Sequence, residues 1–390
     1  MRTTSTYFTE FVLNELQIRM NRFLVTQLLA FLNIFFLKTA SGIRNVEDDG
    51  FVLKANSFPD DVRLRPPIGN GHIATNVLSD TIYMNGVFNG YADDSHRARI
   101  PSTVAIDVVK EDTRENRTYI LNMKDGMFIQ TISRSQANIE LRYFAHRHMT
   151  RLLICEISLE RTGGFLGDVI VRLLQNRGNT SADIAFLDEE ILENNTRYAY
   201  GEINEPETNT SAKVPIHHYS SDVPNTLTLT SGDKNKKWYF MTSLSIDKLD
   251  ALTSYQNGMQ SVKTLTTSHQ QAWNTLWESG SIHVEGNRET EQTINACLYH
   301  IWSSMPSHRD HVNPFIGLSP GGLSRGGKIR PDKKGGPYND YAGHVFWDMD
   351  TWIMPPIMLL HPGMGRLMIE SRMRVMDTVK RHAALGGDDG

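Results

Sequence analysis

Cysteine is almost absent from this chain, which limits the kinds of site it can build. Cys155 and Cys297 are its only cysteines, and they lie far apart in the sequence. Two separated cysteines support neither a disulfide framework nor a thiolate zinc site. His344 and His361 are not at the spacing of metal ligands either. The sequence therefore predicts no bound metal ion.

An excess of positive charge is also missing. The formal net charge is −4 at pH 7, and no basic stripe is interleaved with aromatic residues. This pattern argues against a nucleic-acid partner. A Gly-rich stretch at residues 322–329 resembles a phosphate-binding loop, but Ile329 follows Lys328 where such a loop needs a hydroxyl group. The sequence therefore predicts neither a bound nucleotide nor any other cofactor.

Long uninterrupted apolar runs are missing as well. The apolar run at residues 23–37 is interrupted by Gln27 and Asn33, and it is short for a bilayer span. A single helix that crosses the membrane comfortably is therefore not expected at this position.

A targeting signal is the better interpretation of this N-terminal region. Arg19 and Arg22 precede the apolar run and small residues at 40–42 follow it, as in a signal peptide with a long basic leader. Residues 1–42 are therefore expected to be a signal peptide or N-terminal extension of a protein that is secreted or lies in the secretory-pathway lumen. The alternatives are a signal anchor, or an extension on a cytoplasmic protein. Glycosylation sequons compatible with secretion start at Asn116, Asn179, Asn194 and Asn209.

Strand-like alternation dominates the middle of the chain. Ile139, Leu141 and Tyr143 alternate with polar residues, which is typical of an antiparallel sheet with one buried face. No long helical pattern intervenes before Leu265. Residues 43–265 are therefore expected to form a β-sandwich domain, with the polar segment 176–215 as a long loop. Further strand-like runs lie at residues 153–159, 168–173, 226–230 and 238–246.

Near Thr266 the apolar spacing becomes helical. Strands followed by helices favour two separate layers or domains over an alternating α/β fold. We expect a helical linker at residues 266–285 and a helical domain at residues 286–390. The three apolar stripes on which this rests are Trp273, Leu276 and Trp277; Ile294, Leu298, Ile301, Trp302 and Met305; and Ile369, Met373 and Met376.

Aromatic rings and carboxylates are concentrated in residues 343–352. Flat rings cover the apolar faces of a pyranose, and carboxylates accept hydrogen bonds from its hydroxyls, so this segment predicts a sugar site. Trp347 and Asp348 could instead be a core tryptophan beside an aspartate that caps the following helix. These two roles do not exclude each other. Farther upstream, residues 93–97 could form a solvated loop or a contact to the helical domain.

The segment from Tyr341 to Trp352 resembles the Trp-Asp signature of glycoside hydrolase family 65, which contains maltose and kojibiose phosphorylases and acid trehalases. The match extends from about Phe58 to about Thr378. The resemblance implies an N-terminal β-sandwich, a helical linker and an (α/α)6 barrel, of which residues 286–390 would be the beginning. Blocks that agree in order with the acid-trehalase-like branch lie at residues 85–90, 95–98, 145–147, 272–277 and 317–324.

The resemblance also implies a function. In this family a Glu protonates the leaving oxygen, and either a second carboxylate activates water or phosphate attacks, with inversion. The Trp-Asp pair holds the glucosyl unit, so the resemblance gives this role to Trp347 and Asp348. His344 and Asp350 of the same segment complete the predicted substrate-binding set. For this branch the implied substrate is the glucosyl-α-1,2-galactosyl unit of collagen hydroxylysine.

One departure from the family changes the expectation for this chain. The Glu-bearing segment and the second carboxylate have no counterpart before Gly390. Asp348 and Asp350, which we expect on the same side of the sugar, cannot flank the scissile bond. The chain is therefore expected to be an inactive portion of an inverting α-glucosidase, whose exposed helical faces bind a partner chain or a second copy. The alternatives are a non-catalytic carbohydrate-binding protein and a disaccharide phosphorylase.

Overall fold

The computed structural model describes residues 50–112, 115–178, 180–209, 211–327 and 340–385. The predicted signal peptide or extension at residues 1–42 lies outside this range. The strands are β1 (Val52–Ala55), β2 (Pro67–Gly69), β3 (Ile73–Asn76), β4 (Thr81–Met84), β5 (Phe88–Asn89), β6 (His96–Arg97), β7 (Ile100–Pro101), β8 (Ile106–Val108), β9 (Asn116–Asn122), β10 (Met127–Ser133), β11 (Ala137–Ala145), β12 (Leu152–Arg161), β13 (Val169–Gln175), β14 (Ile184–Phe186), β15 (Glu190–Ile191), β16 (Thr196–Ile203), β17 (Pro215–Ser221), β18 (Thr226–Leu229) and β19 (Asn235–Ser245).

Helices follow the last strand. They are α1 (Lys248–Gln260), α2 (Leu265–Ser279), α3 (Arg288–Ser304), α4 (Met354–Leu360) and α5 (Pro362–Leu385), with a π-helical turn at Met349–Ile353 before α4. Short 3-10 turns lie at Val62–Leu64, Ala92–Asp94, Glu193–Asn195 and Asp340–Gly343. No described helix is both long enough and apolar enough to cross a membrane.

The largest sheet has ten antiparallel strands in the order β1-β9-β10-β11-β12-β19-β17-β16-β14, with β15 on the outer side of β16. At its centre, Leu141 of β11 pairs with Ile157 of β12, and Tyr143 pairs with Cys155. All four side chains are buried. The predicted alternation is therefore confirmed here, because a one-residue slip would turn these side chains to the other face.

The described residues also form three smaller sheets, with the orders β18-β13-β8, β2-β3-β4-β7 and β5-β6. The first two contribute to the same core as the large sheet. Ile73 of β3, Val171 of β13 and Ile157 of β12 are all fully buried members of one hydrophobic cluster. Trp273 of α2 and Trp302 of α3 belong to this cluster too. The helices are thus anchored on the β-rich region through large side chains, whose truncation typically costs about 3–5 kcal/mol each.

The polar segment at residues 176–215 is not the long loop that its composition predicted. It contains β14, β15 and β16, which extend the ten-stranded sheet beyond β17. Strand β16 pairs with β17 over seven residue positions, from Thr196 opposite Ser221 to Glu202 opposite Pro215. Most of its side chains remain partly exposed. Backbone hydrogen bonds join these strands to the sheet, and their buried apolar residues Ile184, Tyr198 and Ile203 are widely spaced along the sequence. Hydrophobic periodicity therefore misses the strands.

Helical structure also begins earlier than the change of period near Thr266 predicted. Helix α1 starts at Lys248, where the Asp247 side chain accepts a hydrogen bond from the Asp250 N–H at 2.8 Å. This is an ordinary N-cap. Ala251, Tyr255 and Gly258 are the buried residues of α1. Such a narrow buried stripe gives a weak helical signal, which explains why the sequence pattern did not reveal the helix.

The arrangement is thus a β-rich N-terminal part followed by a few helices. This confirms the predicted order of strands and helices, and α2, α3 and α5 carry the three predicted apolar stripes. The (α/α)6 barrel and the domain boundaries at residues 265 and 285 remain predictions.

Candidate carbohydrate site

The segment that leads into the Trp-Asp pair has an unusual backbone. Tyr341, Ala342 and Gly343 form a left-handed turn, with φ values of 57°, 53° and 77°. Residues other than glycine adopt this region at an energetic cost and persist there only when the surroundings fix them. The turn therefore indicates a segment whose geometry is imposed by its neighbours.

The first of these neighbours is the region around residues 93–97. His344 Nε2 lies 3.0 Å from the Ser95 carbonyl oxygen. The backbone N–H of Arg97 donates to the Gly326 carbonyl oxygen at 2.9 Å. Of the two alternatives for residues 93–97, the structure shows a contact to the segments that follow α3.

His344 itself lies at this contact. Its ring stacks on Phe88 of β5, with centroids 4.4 Å apart and planes inclined by 15°. A carboxylate oxygen of Glu207 lies 3.9 Å from Nδ1. About a third of the side chain is exposed. His344 therefore connects β5 and residues 93–97 with the segment that leads to Trp347. Its contact with substrate remains a prediction.

Three exposed aromatic side chains and one partly buried aromatic side chain form a patch beside this contact. The aromatic patch consists of Tyr341, Phe346, Trp347 and Trp352. The rings of Tyr341 and Phe346 stack with their centroids 4.6 Å apart. The ring centroid of Trp347 lies 6.0 Å from that of Phe346 and 6.3 Å from that of Trp352. Trp347 is 56% exposed. A contiguous exposed aromatic surface of this kind marks a binding site more often than an isolated apolar residue does.

Asp348 differs from Trp347 in that it is buried. Only 6% of the residue is accessible to solvent. Its Oδ2 accepts no hydrogen bond from the described part of the chain. Burying a carboxylate oxygen without a partner costs folding free energy, so this oxygen calls for a partner outside the described chain, such as a water molecule or a ligand. A hydroxyl donor of a ligand would satisfy it, with a charge-assisted hydrogen bond.

The helix-capping interpretation of Asp348 is wrong. Asp348 has helical backbone angles (φ −56°, ψ −33°), and its side chain makes no capping hydrogen bond to the helical turn that follows. A capping aspartate instead has extended backbone angles and accepts from an N–H two or three residues ahead. The carboxylate therefore does not cap the start of this helical segment.

Asp350 lies apart from Asp348. Its carboxylate forms an ion pair with the guanidinium of Arg372 on α5 at 2.9 Å, and 44% of its side chain is exposed. Residues two apart on a helix do not face each other. Asp348 is buried and Asp350 faces solvent, and the expectation that both lie on the same side of the sugar remains a prediction. A role of Asp350 in substrate binding remains a prediction.

Sequence reasoning did not identify Phe88 or Arg97 as site residues, although both lie in blocks that resemble the family. No local pattern reveals them, because their partners lie more than two hundred residues away along the chain. Within the described ranges, no group of three or more His, Cys, Asp and Glu side chains could hold a metal ion.

Comparison with known proteins gives relatives along most of the chain, although no family model matches it. The chain is 30% identical over 347 residues to a protein-glucosylgalactosylhydroxylysine glucosidase of Gallus gallus, which covers 88% of this chain and 48% of that protein. It is 35% identical over 144 residues to a kojibiose hydrolase of Flavobacterium johnsoniae, covering 37% of this chain and 18% of the relative.

A solved structure shares the fold. It is a protein from the human microbiome described as a candidate kojibiose phosphorylase, with a TM-score of 0.60 at 16% identity, over 84% of this chain and 49% of that one. The chain spans about half the length of the curated relatives it matches. The resemblance to glycoside hydrolase family 65 that the motifs indicated is thus confirmed, and over most of its length this chain is related to the protein-glucosylgalactosylhydroxylysine glucosidases.

Proposed function

We propose that this chain binds the terminal glucosyl unit of an α-1,2-linked glucoside on Trp347 and Asp348. The observation that carries the proposal is the buried Oδ2 of Asp348, which has no hydrogen-bond partner in the described chain. Trp347, its neighbour in sequence, has a ring that is more than half exposed. A pyranose offers an apolar face to an aromatic ring and hydroxyl donors to a carboxylate, and we assign these two contacts to Trp347 and Asp348.

The names of the relatives narrow the class of ligand. They include glucosylgalactosylhydroxylysine glucosidases, kojibiose hydrolases and kojibiose phosphorylases. Kojibiose is glucose joined to glucose by an α-1,2 bond, and glucosylgalactosyl-hydroxylysine ends in an α-1,2-linked glucose. A terminal α-1,2-glucosyl group is common to these compounds. We therefore propose a terminal α-1,2-glucosyl group as the ligand class for this chain. The reaction that we propose for a longer protein containing this chain is the inverting hydrolysis of the glucosylgalactosyl unit.

We further propose that the chain binds such glucosides without hydrolysing them on its own. An inverting glycosidase places two carboxyl groups on opposite sides of the bond, roughly 6.5–9.5 Å apart with a water molecule between them. We assign Asp348 to holding the sugar, and the Asp350 carboxylate is paired with Arg372. Neither arrangement supplies an acid and a base across a glycosidic bond.

An assay of the full chain tests this proposal. Kojibiose and glucosylgalactosyl-hydroxylysine are incubated with the purified protein, and released glucose is measured with and without inorganic phosphate. We expect binding in calorimetry and no glucose above the buffer blank. Release of glucose in buffer would contradict the lack of turnover, and formation of glucose 1-phosphate only with phosphate would identify a phosphorylase. Absence of any binding would refute the proposal as a whole.

A location in the secretory pathway is also a proposal. Asn116, Asn194 and Asn209, which start three of the sequons, are exposed. Exposed acceptor asparagines are a requirement for glycosylation. Expression in secreting cells with and without glycosidase treatment tests it: a mobility shift supports entry into the lumen, and an unshifted intracellular protein contradicts it.

We also expect the chain to self-associate through an exposed apolar face on α5. Ile369, Met373 and Met376 lie at helical spacing on this face and are 43%, 62% and 45% exposed. Light scattering on the purified protein should show species larger than the monomer, and Met373→Glu should reduce them. Leu249→Glu is the control, because Leu249 is a 69% exposed apolar residue on α1. A monomer at all concentrations would contradict the expectation.

A further inference from the structure

Arg97, at the end of β6, is a fully buried arginine that joins two distant segments of the chain. None of the residue is accessible to solvent. Its guanidinium donates to three backbone carbonyls of the 322–325 segment through Nη1 and to a fourth, in the left-handed turn, through Nη2. These acceptors are Gly322 at 2.9 Å, Leu323 at 3.2 Å, Arg325, and Gly343 at 2.9 Å.

The segments that Arg97 joins approach each other so closely that only glycine fits. A Cβ atom on Gly343 would lie 2.8 Å from the Arg97 Cζ, and one on Gly326 would lie 2.5 Å from the Gly343 backbone. Both glycines also have positive φ values, 77° and 102°. Close approach and left-handed backbone therefore each exclude a larger residue. The contact is a tightly packed junction rather than a loose surface contact.

The position of Trp347 and Asp348 depends on this junction. They follow Gly343 by four and five residues, and Ala342 and Tyr341 before it hold left-handed angles that need outside support. The Gly343 carbonyl oxygen accepts a hydrogen bond from Arg97, and the ring of the next residue, His344, contacts the Ser95 carbonyl oxygen. These two contacts fix the C-terminal end of the turn. A planar guanidinium can bind several carbonyls in fixed directions, which a lysine ammonium on a flexible stem cannot reproduce.

We infer that Arg97 is a positioning residue of the carbohydrate site: it fixes the left-handed turn at residues 341–343 and thereby sets the direction of Trp347 and Asp348. This inference rests on the proposed glucosyl-binding role of these two residues. Binding sites that are held only loosely lose affinity even when every contact residue is present. Arg97 therefore acts on the sugar through the backbone and touches no ligand itself.

The test compares Arg97→Lys with the wild-type chain by two measurements. Hydrogen exchange of the amides at residues 341–348 should accelerate about tenfold or more, because the fixed turn opens. Affinity for kojibiose should fall about tenfold or more in calorimetry. Arg117→Lys is the matched control, since Arg117 is a mostly buried arginine of the β-rich region that donates to the Val108 carbonyl oxygen and to carboxylates. It should leave both measurements unchanged.

The two measurements separate this inference from the proposed function. If wild-type protein binds no kojibiose, the proposed function fails, and the exchange data alone decide the role of Arg97. Unchanged exchange at residues 341–348 in a folded Arg97→Lys variant overturns the inference. If that variant does not fold, wild-type exchange decides: protected amides at residues 341–348 support a fixed turn, and exchange at the rate of an unstructured peptide overturns it.

Discussion

Replacing Asp348 with asparagine is expected to weaken kojibiose binding roughly 10- to 100-fold, because a hydrogen bond to a charged acceptor contributes about 1.5–3 kcal/mol. The same substitution should leave the free energy of unfolding unchanged or raise it, because it removes a buried carboxylate whose Oδ2 has no partner in the described chain. Calorimetry and urea unfolding of the same samples measure both quantities.

Two controls accompany this prediction. Trp347→Ala should also reduce affinity without loss of stability, since its side chain is more than half exposed. Asp350→Asn should have a smaller effect on affinity, because its carboxylate is paired with Arg372. If Asp348→Asn instead leaves the affinity for kojibiose intact, the proposed role of Asp348 in glucosyl binding is wrong.

Acidification is expected to destabilise the protein strongly between pH 7 and pH 5. Burial lowers the pKa of His72 to about 3 and the pKa values of His146 and His218 to about 4, and it lowers the pKa of His269 well below its ordinary value. All four side chains are nearly inaccessible to solvent. They stay neutral in the folded protein, while in the unfolded chain they take up protons with a pKa near 6.5.

Below pH ~6.5 the unfolded state binds more protons than the folded state, so stability falls as pH falls. At pH 5 each such histidine removes about 2 kcal/mol of folding free energy. Asp310, whose pKa is lowered to about 2 with the Arg151 hydrogen bond as the main stabilising contact, adds a further loss between pH ~4 and ~2.

Urea unfolding at pH 7.5, 6 and 5 measures this dependence. His269→Gln should reduce the loss of unfolding free energy between pH 7.5 and pH 5 by the share of this one histidine, because glutamine takes up no proton. Glutamine also keeps polar atoms for the contacts of His269 with the Arg147 N–H and the Gly126 carbonyl oxygen. Equal unfolding free energies at pH 7.5 and pH 5 would contradict the account of these buried histidines.

The strands with a buried and an exposed face could be predicted from the sequence. In β11 the buried and exposed residues alternate along most of the strand, and the pattern gives both the strand and its buried face. In β12 the alternating residues 153, 155, 157 and 159 face the main core, while Leu152 and Ile154 pack into a second core on the opposite face of the sheet. Strand β16 could not be found in this way, because backbone pairing with β17 holds it and few of its side chains are buried. Helix α1 was missed for a related reason, its short buried stripe.

The candidate site, like the fold, could be predicted from the sequence only in part. The concentration of rings and carboxylates at residues 343–352 predicts a sugar site, since rings cover the apolar faces of a pyranose and carboxylates accept hydrogen bonds from its hydroxyls. Which of the Asp348 and Asp350 carboxylates has an oxygen without a protein partner could not be predicted. The answer depends on the ion pair between Asp350 and Arg372 and on the burial of Asp348. The contact of Arg97 with Gly343 joins residues 246 positions apart, a separation at which local pattern carries no information.

A crystal structure of the full chain with kojibiose would test the central claim most directly. We predict that the non-reducing glucosyl ring lies against Trp347, with one of its hydroxyl groups about 2.5–2.8 Å from Oδ2 of Asp348. Kojibiose bound elsewhere on the protein, or bound here with Asp348 Oδ2 left without a hydrogen bond, would contradict the claim.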